Sequence, residues 1–505
     1  MSAHATFLQR RPLPEARALL LAGVVPVRDE EIAVDDAAGR VAAETVVARH
    51  PSPHYRAAAM DGIAVRAADT WAAADAPVRL RTIASTSPAP AAGEPCCVAV
   101  DTGSLLPEWA DAVVRIEDVT AEDGGYRIKS VVPPGCDVRR AGEDIEAATV
   151  LVPAGARLRP WDIGAMLATG TTRVRVRVRP RVAILATGGE VVEPAQAAGP
   201  GQVIEYNSRV IAALAEGWGG SAHRLGIVAD DEASLAAAVA DAAARFDVVC
   251  VIAGSSAGRK DFTIATLASL GEVLVHGVDI SPGRPVALAR IRAGGRDKAE
   301  GRATPAIAIP GYPVSAIVVC EQLLRPLVCA LLGSAEPPVA RLHAGVVRKI
   351  PSRLGLEEFR RVCLTRQADG TYIVAPLPSG AASISSVSGA HGWLRIAASA
   401  EGLDAGTDAE VELMVPREEV DAAFVVAGEP CAASAALEAE LRRANPRARV
   451  AHLRRGVNDQ LAAVGRGEAH AAIVTSEEAA AAGSAYELRA LPGSAMLLAA
   501  LHGAL

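Results

Sequence analysis

The sequence predicts a multidomain protein of the α/β plus β class, and three observations carry that prediction. Residues 180–333 alternate strand-like and helix-like runs, the order of a parallel sheet covered by helices. Two flanking stretches, 51–140 and 338–418, consist of short β-prone runs between Gly/Pro turns. A final segment, 422–505, returns to a βαβαβ order. The chain has 505 residues, room for about three to five domains. Half of them are hydrophobic but only 3% are aromatic, so the cores must be aliphatic and finely packed.

In chain order, residues 12–49 carry helix-like periodicity in "LPEARALLLAG" and "EEIAVDDAAGRVAAETVVA". Together with 141–178 ("RPWDIGAMLATG" ahead of "RVRVRV"), residues 1–50 read as an N-terminal helical and extended linker domain. Residues 51–140 interrupt it as a β insertion, through "GIAVRA", "VRLRTIA", "CCVAVDTG", "DAVVRIEDV" and "YRIKSVV". Residues 179–334 form the α/β domain. Its strands are "RVAILAT", "HRLGIV", "DVVCVIAG", "VLVHGVDI", "VALARI" and "AIAIPG", with helices from "YNSRVIAALAEGWGG" to "PVSAIVVCEQLLRPLVCALLG". Residues 335–420 read as β again, from "ARLHAGVVRKI" to "DAEVELMV". The tail, 421–505, alternates "AAFVVAG", "RVAHLRR" and "HAAIVTS" with two helices.

Lys plus Arg number 51 against 58 Asp plus Glu, a net charge of −7 without long runs of one sign. Nucleic-acid binders show a basic patch or stripe, so a nucleic-acid partner is not expected. Charges, Gly or Pro break the long apolar stretches, so no membrane span is expected. The N-terminus lacks signal-peptide order, and a cytoplasmic protein is the expectation. Eight cysteines are scattered with no C-x-x-C pair, which reads as buried, reduced structural thiols.

Ligands of open α/β sheets bind beyond the carboxyl ends of the strands. Four loops fall there if the strands are parallel: "TGGE" (187–190), "AGSSAGRKDFT" (253–263), "SPGRP" (281–285) and "PGYPVSA" (310–316). Gly/Ser loops ahead of helices suit phosphate or another anion, and Arg284 adds a planar donor for it. Glu190, Asp261 and the pair Asp230/Asp231 are placed to meet a divalent cation brought by a phosphorylated ligand. Each has an ordinary reading beside it. Asp230, Asp231 and Asp261 suit helix N-caps, and Ser255 and Ser256 suit a turn. Glu190 suits a solvated loop, Arg284 a surface cation, and His276 a structural position. A second cluster lies in the β insertion, at Asp61-Gly62, Thr102-Gly103 and "RRAGEDI" (139–145), where ordinary turn chemistry competes.

The ordered set "AAAMDGIAV", "DTGSLLPEWADAVVRIED", "RRAGEDI", "AILATGGEVVE", "IEYNSR", "AGSSAGRKDFT", "HGVDISPGRP" and "AIPGYPVSA" resembles the molybdopterin molybdenumtransferase family, with gephyrin's C-terminal region as a relative. The resemblance runs from about residue 10 to 420. "SPHYRAAAMDGIAV", "AGSSAG" and "PGYPVSA" look most like the subgroup that continues into a periplasmic-binding-protein-like domain, of which 421–505 would be an eroded single lobe. It implies a MogA/MoaB-like molybdopterin-binding α/β domain, a β insertion, a C-terminal β-barrel-like domain and a homodimer. The implied reaction takes molybdate and adenylylated molybdopterin to molybdenum cofactor and AMP, with Mg2+. A molybdopterin adenylyltransferase is a candidate partner.

Carried over by motif, the resemblance implies catalytic roles for Asp61, Thr102, Asp144, Glu190, Asp230 and Asp261, with Glu190 and Asp261 on the metal. It implies substrate contacts from Gly254, Ser255, Ser256, Arg284, Pro310, Gly311, Pro313, Ser315, Arg361 and Ser386. The family pattern has Asp where this chain has Gly189 and Lys where it has Ser281. A non-catalytic molybdopterin- or molybdate-binding regulatory or storage paralogue, and a nucleotidyl transferase, stay open beside the main reading.

Overall fold

The computed structural model describes residues 10–88, 91, 93–196, 198–253, 262–292, 303–478, 486–490 and 497–501. It divides into two compact units: Val27–Val178 with Leu332–Ser334, and Met1–Pro26 with Arg179–Leu331 and Ala335–Leu505.

In the unit of Val27–Val178, the insertion's short runs form a six-stranded sheet ordered Ala112–Arg115, Gly62–Val65, Cys96–Val100, Val78–Thr82, Gly125–Ile128, Val119–Glu122. Strand periodicity puts Ile63, Val65, Leu80, Cys97, Val114 and Ile128 in one core. A Cβ on Gly62 would lie 2.0 Å from the Val114 carbonyl oxygen, so close strand approach demands glycine there. The expected helix over "EEIAVDDAAGRV" is instead the strand Asp29–Ala33, antiparallel to Arg173–Arg177, followed by a 3-10 turn at Val34–Asp36. Cross-strand charge explains the outcome: Arg173 Nε lies 3.1 Å from Glu31 and Arg175 Nε 2.9 Å from Asp29. Val34, Val174 and Val176 meanwhile fill the core. The helix Pro160–Ala168 forms as expected, with Asp162 Oδ2 accepting from Arg159 N at 2.7 Å.

The other unit begins with the helix Leu13–Leu21. This helix falls in the same compact unit as residues 179–331. The α/β sheet is ordered Ser221–Val228, Arg181–Thr187, Val248–Ala253, Ala303–Pro310, Ala287–Arg292, Gly271–His276. Its first four strands are parallel, but Ala287–Arg292 runs antiparallel to both neighbours. The connection 277–286 is too short for the dozen or more residues of a parallel crossover. Ala183, Leu185, Val249, Val251, Ala306 and Ala308 pack with Leu235, Val239 and Leu267 in its core. The helical segment 313–332 passes through a π turn at Cys320–Leu324. Pro326 follows; it has no N–H for the ladder and crowds the carbonyl one turn back. This segment is long and apolar enough to cross a membrane, but 78% of its apolar window is buried inside the protein, as in a core helix.

Beyond Ala335, the strands Glu357–Arg366, Tyr372–Pro376, Arg341–Gly345, Asp408–Leu413 and Gly392–Ile396 close into a five-stranded barrel, because the first also pairs with the last. Ile280–Ser281, from the α/β domain, adds to that barrel in parallel with Glu357 and Glu358. The tail forms a five-stranded sheet ordered Arg449–Leu453, Ala423–Ala427, Ala471–Val474, Leu497–Leu501, Tyr486–Ala490. The last two strands are additions to the expected pattern. Cys363, Ala375, Leu377 and Ala390 of the barrel share one core with Val425, Leu453, Val464 and Val474 of the tail. Six cysteines are buried and two, Cys136 and Cys431, are half-buried; none of the eight forms a disulfide.

Two groups, the half-buried Glu321 and the buried His391, couple this unit to pH with opposite signs. Burial raises Glu321, on the π turn, from 4.5 to about 7, with Glu412 adding to and Arg325 opposing the shift. Burial lowers His391 from 6.5 to about 4. Between pH 4.5 and 7 the folded state holds a proton on Glu321 that the unfolded state has released, so stability falls as pH rises. For His391 the unfolded state holds the extra proton, so stability is full above 6.5 and is lost as pH falls toward 4. Glu321→Gln is therefore expected to stabilise above pH 7, on the order of 3 kcal/mol, and to change little at pH 4.5. Denaturant midpoints across that range check it; a gain independent of pH would refute it.

Candidate functional site

Two cavities lie side by side in the larger unit. The first, about 410 Å³, opens at the carboxyl ends of the parallel strands and is lined by Thr187, Glu190, Glu205, Asn207, Tyr312 and Pro313, among others. Helix Asn207–Gly217 begins at its wall. Glu205 is buried and accepts from Ser208 N at 2.7 Å, Ser208 Oγ at 2.6 Å and Arg209 Nη1 at 2.8 Å. Asn207 donates from Nδ2 to the Gly311 carbonyl at 2.6 Å, clamping the helix start to the "PGYP" turn. The Thr187 hydroxyl is buried without a hydrogen-bond partner among the described residues, which leaves a polar atom for a ligand to satisfy. Glu190 is exposed at the rim; its carbonyl accepts from Val203 N at 2.8 Å, while its carboxylate has no hydrogen-bond or ion-pair partner among the described residues.

The second cavity, about 370 Å³, lies where the "SPGRP" turn meets the barrel, and four of its lining residues are Arg284, Arg353, Arg360 and Arg361. Gly283 sits at φ +117°, and a Cβ there would lie 2.9 Å from Ile280 Cδ1 and 3.1 Å from Val319 Cγ2. The turn needs glycine to press against its own domain. Arg361 is 4% exposed. Its Nη1 donates to Gly380 O at 2.9 Å and Ser386 Oγ at 2.6 Å, and its Nη2 to Pro378 O at 3.0 Å. Its Nε has no hydrogen-bond partner, and no carboxylate pairs with it among the described residues. Burial first, then the neighbouring Arg360, lowers this guanidinium to about 10. Ser315, also buried, lines this cavity while Pro313 lines the first. Val314 N donates to Ala381 O at 3.0 Å, so one strut separates the two spaces.

The structure thus gathers Glu190, Gly311 and Pro313 at the first cavity, and Arg284, Ser315 and Arg361 at the second. Ser386 holds Arg361 from behind, and Pro310 ends the strand that leads into the "PGYP" turn. Asp61 and Thr102 meet in the other unit: Thr102 N and Oγ1 both donate to Asp61 Oδ1, at 2.6 and 2.8 Å. These bonds hold the Asp61 carboxyl below its usual range. Asp144 is exposed, its N–H donating to Ser52 O at 3.1 Å. Asp231 caps helix Glu232–Arg245 by accepting from Ser234 N at 2.8 Å. Asp230 is exposed and lines neither cavity. Gly254, Ser255, Ser256 and Asp261 lie outside the described residues. Sequence reading missed Thr187, Glu205 and Asn207 as individuals, although "TGGE" and "IEYNSR" contain them. It also missed Arg353 and Arg360, which no local pattern distinguishes from surface arginines.

The α/β domain thus carries a polar cleft at its strand ends, beside a cavity whose buried Arg361 has no ion-pair partner among the described residues. Three family models match the chain: "MoeA N-terminal region (domain I and II)" over residues 11–170, "Probable molybdopterin binding domain" over 183–330, and "MoeA C-terminal region (domain IV)" over 344–414. The chain is 32% identical over 394 residues to molybdopterin molybdenumtransferase 1 of Mycobacterium tuberculosis, covering 73% of this chain and 89% of that one. It is 29% identical over 354 residues to the molybdopterin molybdenumtransferase of Haemophilus influenzae, covering 69% and 85%. A molybdopterin biosynthesis MoeA protein from Pyrococcus horikoshii superimposes with a TM-score of 0.70 at 31% identity, covering 81% of this chain and all of that one. The chain belongs to the molybdopterin molybdenumtransferase family. It is an enzyme of molybdenum cofactor biosynthesis, and its tail lies beyond the last matched segment.

Proposed function

We propose that the arginine-lined cavity receives molybdate and the neighbouring cleft receives adenylylated molybdopterin, so that metal insertion and AMP release occur across the strut between them. The observation that carries this reading is Arg361. A buried guanidinium without a counter-ion is costly, and an oxyanion bound beside its free Nε offsets that cost with a charge-assisted hydrogen bond. Ser315 and Arg284 line the same space. Replacing a phosphoryl group by a dithiolene-held metal needs positioned charge more than a nucleophile, which agrees with cysteines that are mostly buried.

Mg2+ takes one or two carboxylates and leaves the rest of its shell to water and substrate phosphates. Glu190 fits as such an anchor because its carboxylate is unengaged, whereas Glu205 is already bound by Ser208 and Arg209. When bound, the ion would polarise the phosphoanhydride. Complementation of a molybdenumtransferase-deficient strain, read through a molybdoenzyme at low molybdate, tests the function. Failure at normal expression would favour a binding paralogue instead.

A cytoplasmic homodimer is part of the same reading, with a molybdopterin adenylyltransferase as the enzyme class that supplies the substrate. Support for self-association comes from the Val27–Val178 unit, where Val47 and Val150 are cross-strand partners yet 45% and 57% exposed, and Trp161 is 66% exposed. Trp161→Asp is expected to shift sedimentation from dimer to monomer; a dimer unaffected by it would remove this face from consideration. The tail as one periplasmic-binding-like lobe rests on its central strand Ala423–Ala427 lying between two parallel neighbours.

A further inference from the structure

The second cavity carries four guanidiniums but one carboxylate, Glu358, so its cations can be sorted by what already occupies them. Arg361 forms the floor, held by Gly380, Pro378 and Ser386. Arg360 is engaged: its Nε lies 2.7 Å from Glu358 Oε1 and its Nη2 donates to Pro351 O at 2.9 Å. Arg284 and Arg353 have no ion-pair partner among the described residues, and they approach from different domains. Arg284 comes from the α/β turn. Arg353 comes from the barrel turn 352–356, just ahead of Glu358, beside which Ser281 stands without a charge.

The Arg353 turn is fixed on both sides by backbone bonds. Ser352 N donates to Glu401 O at 2.9 Å, Leu356 N to Arg353 O at 3.2 Å, and Gly355 N to Ala398 O at 2.7 Å. The next residue, Glu357, donates from N to Asp279 O at 2.9 Å, beside the ladder pairing Ile280 with Glu357 and Ser281 with Glu358. That ladder locks the two cation-bearing turns together. An exposed arginine on a pinned turn at a cavity mouth, with its charge unspent, is placed to meet an anion rather than to hold the fold.

We propose that Arg353 is an oxyanion-binding residue of this cavity, supplying from the barrel turn the charge that Ser281 does not. The assignment rests on the cavity being the molybdate site. A dianionic tetrahedral oxyanion then meets Arg361 below and Arg284 and Arg353 at the mouth. Such an oxyanion is either free molybdate or a phosphate of the organic ligand, and separate titrations with molybdate and with AMP distinguish the two.

The test is calorimetric titration of the full chain and its variants with molybdate, and with AMP, at two salt concentrations. Arg353→Ala is expected to raise the molybdate Kd about tenfold, to flatten its salt dependence, and to leave the melting temperature unchanged. Ser281→Lys in the Arg353→Ala background is expected to recover most of the affinity, because it returns a cation from the adjacent wall. An unchanged molybdate Kd in Arg353→Ala, a loss confined to AMP, or no recovery with Ser281→Lys overturns the assignment. Arg361→Ala separates the two levels: if it abolishes molybdate binding while Arg353→Ala does nothing, only the role of Arg353 falls. If neither variant changes binding, the cavity is not the molybdate site.

Discussion

Replacing Arg361 by alanine is expected to weaken molybdate binding roughly 100-fold or more, by analogy with truncated buried charge contacts, and to depress AMP release in step. The loss should exceed any loss of stability, because removing an uncompensated buried cation also relieves its desolvation. Arg361→Lys keeps the charge but cannot span the Gly380 and Pro378 carbonyls and the Ser386 hydroxyl that the planar fork reaches together. It should recover only part of the affinity. Calorimetry with molybdate and a melting curve on the same samples separate the two effects. Full-strength binding in Arg361→Ala would end the proposal for this cavity.

The largest effect on stability is expected at Glu468, which is fully buried in the seam between barrel and tail. Arg348 Nε lies 2.8 Å and Arg455 Nη2 3.2 Å from its Oε1, and Arg466 Nη2 lies 2.6 Å from its Oε2. Glu468→Ala leaves three arginines around a hole that held their shared anion, and should cost about 3–5 kcal/mol. The Glu468 carbonyl also accepts from Thr365 Oγ1 at 2.6 Å, on the barrel strand that carries Arg361. Thermal and denaturant unfolding measure the loss. Early proteolysis after about residue 415 would show the tail leaving first, whereas an unchanged midpoint would mean that the cluster contributes nothing net.

Much of the fold was legible because its signals are local. The alternation over 180–333 and the Gly/Pro-punctuated β runs name their elements without reference to distant residues. Where reading failed, a distant partner decided. "EEIAV" has helix-compatible composition, yet the arginines of "RVRVR", more than a hundred residues later, draw it into a strand. Ala287–Arg292 reads as one more α/β strand, and only the short excursion before it turns it antiparallel. Asp231 spends its carboxylate on a helix start, and Asp61 spends its own on Thr102.

The sequence by itself determined the family and the order of the layers, since motif identity and short-range periodicity are properties of neighbouring residues. Only the tertiary structure decided which charges face one another. Arg284 lies 69 residues before Arg353 and 77 before Arg361 along the chain. The Ile280–Ser281 ladder onto Glu357 and Glu358 brings their turns around one cavity. An arginine's neighbours, not its type, settle whether its charge is neutralised within the protein or left for a ligand.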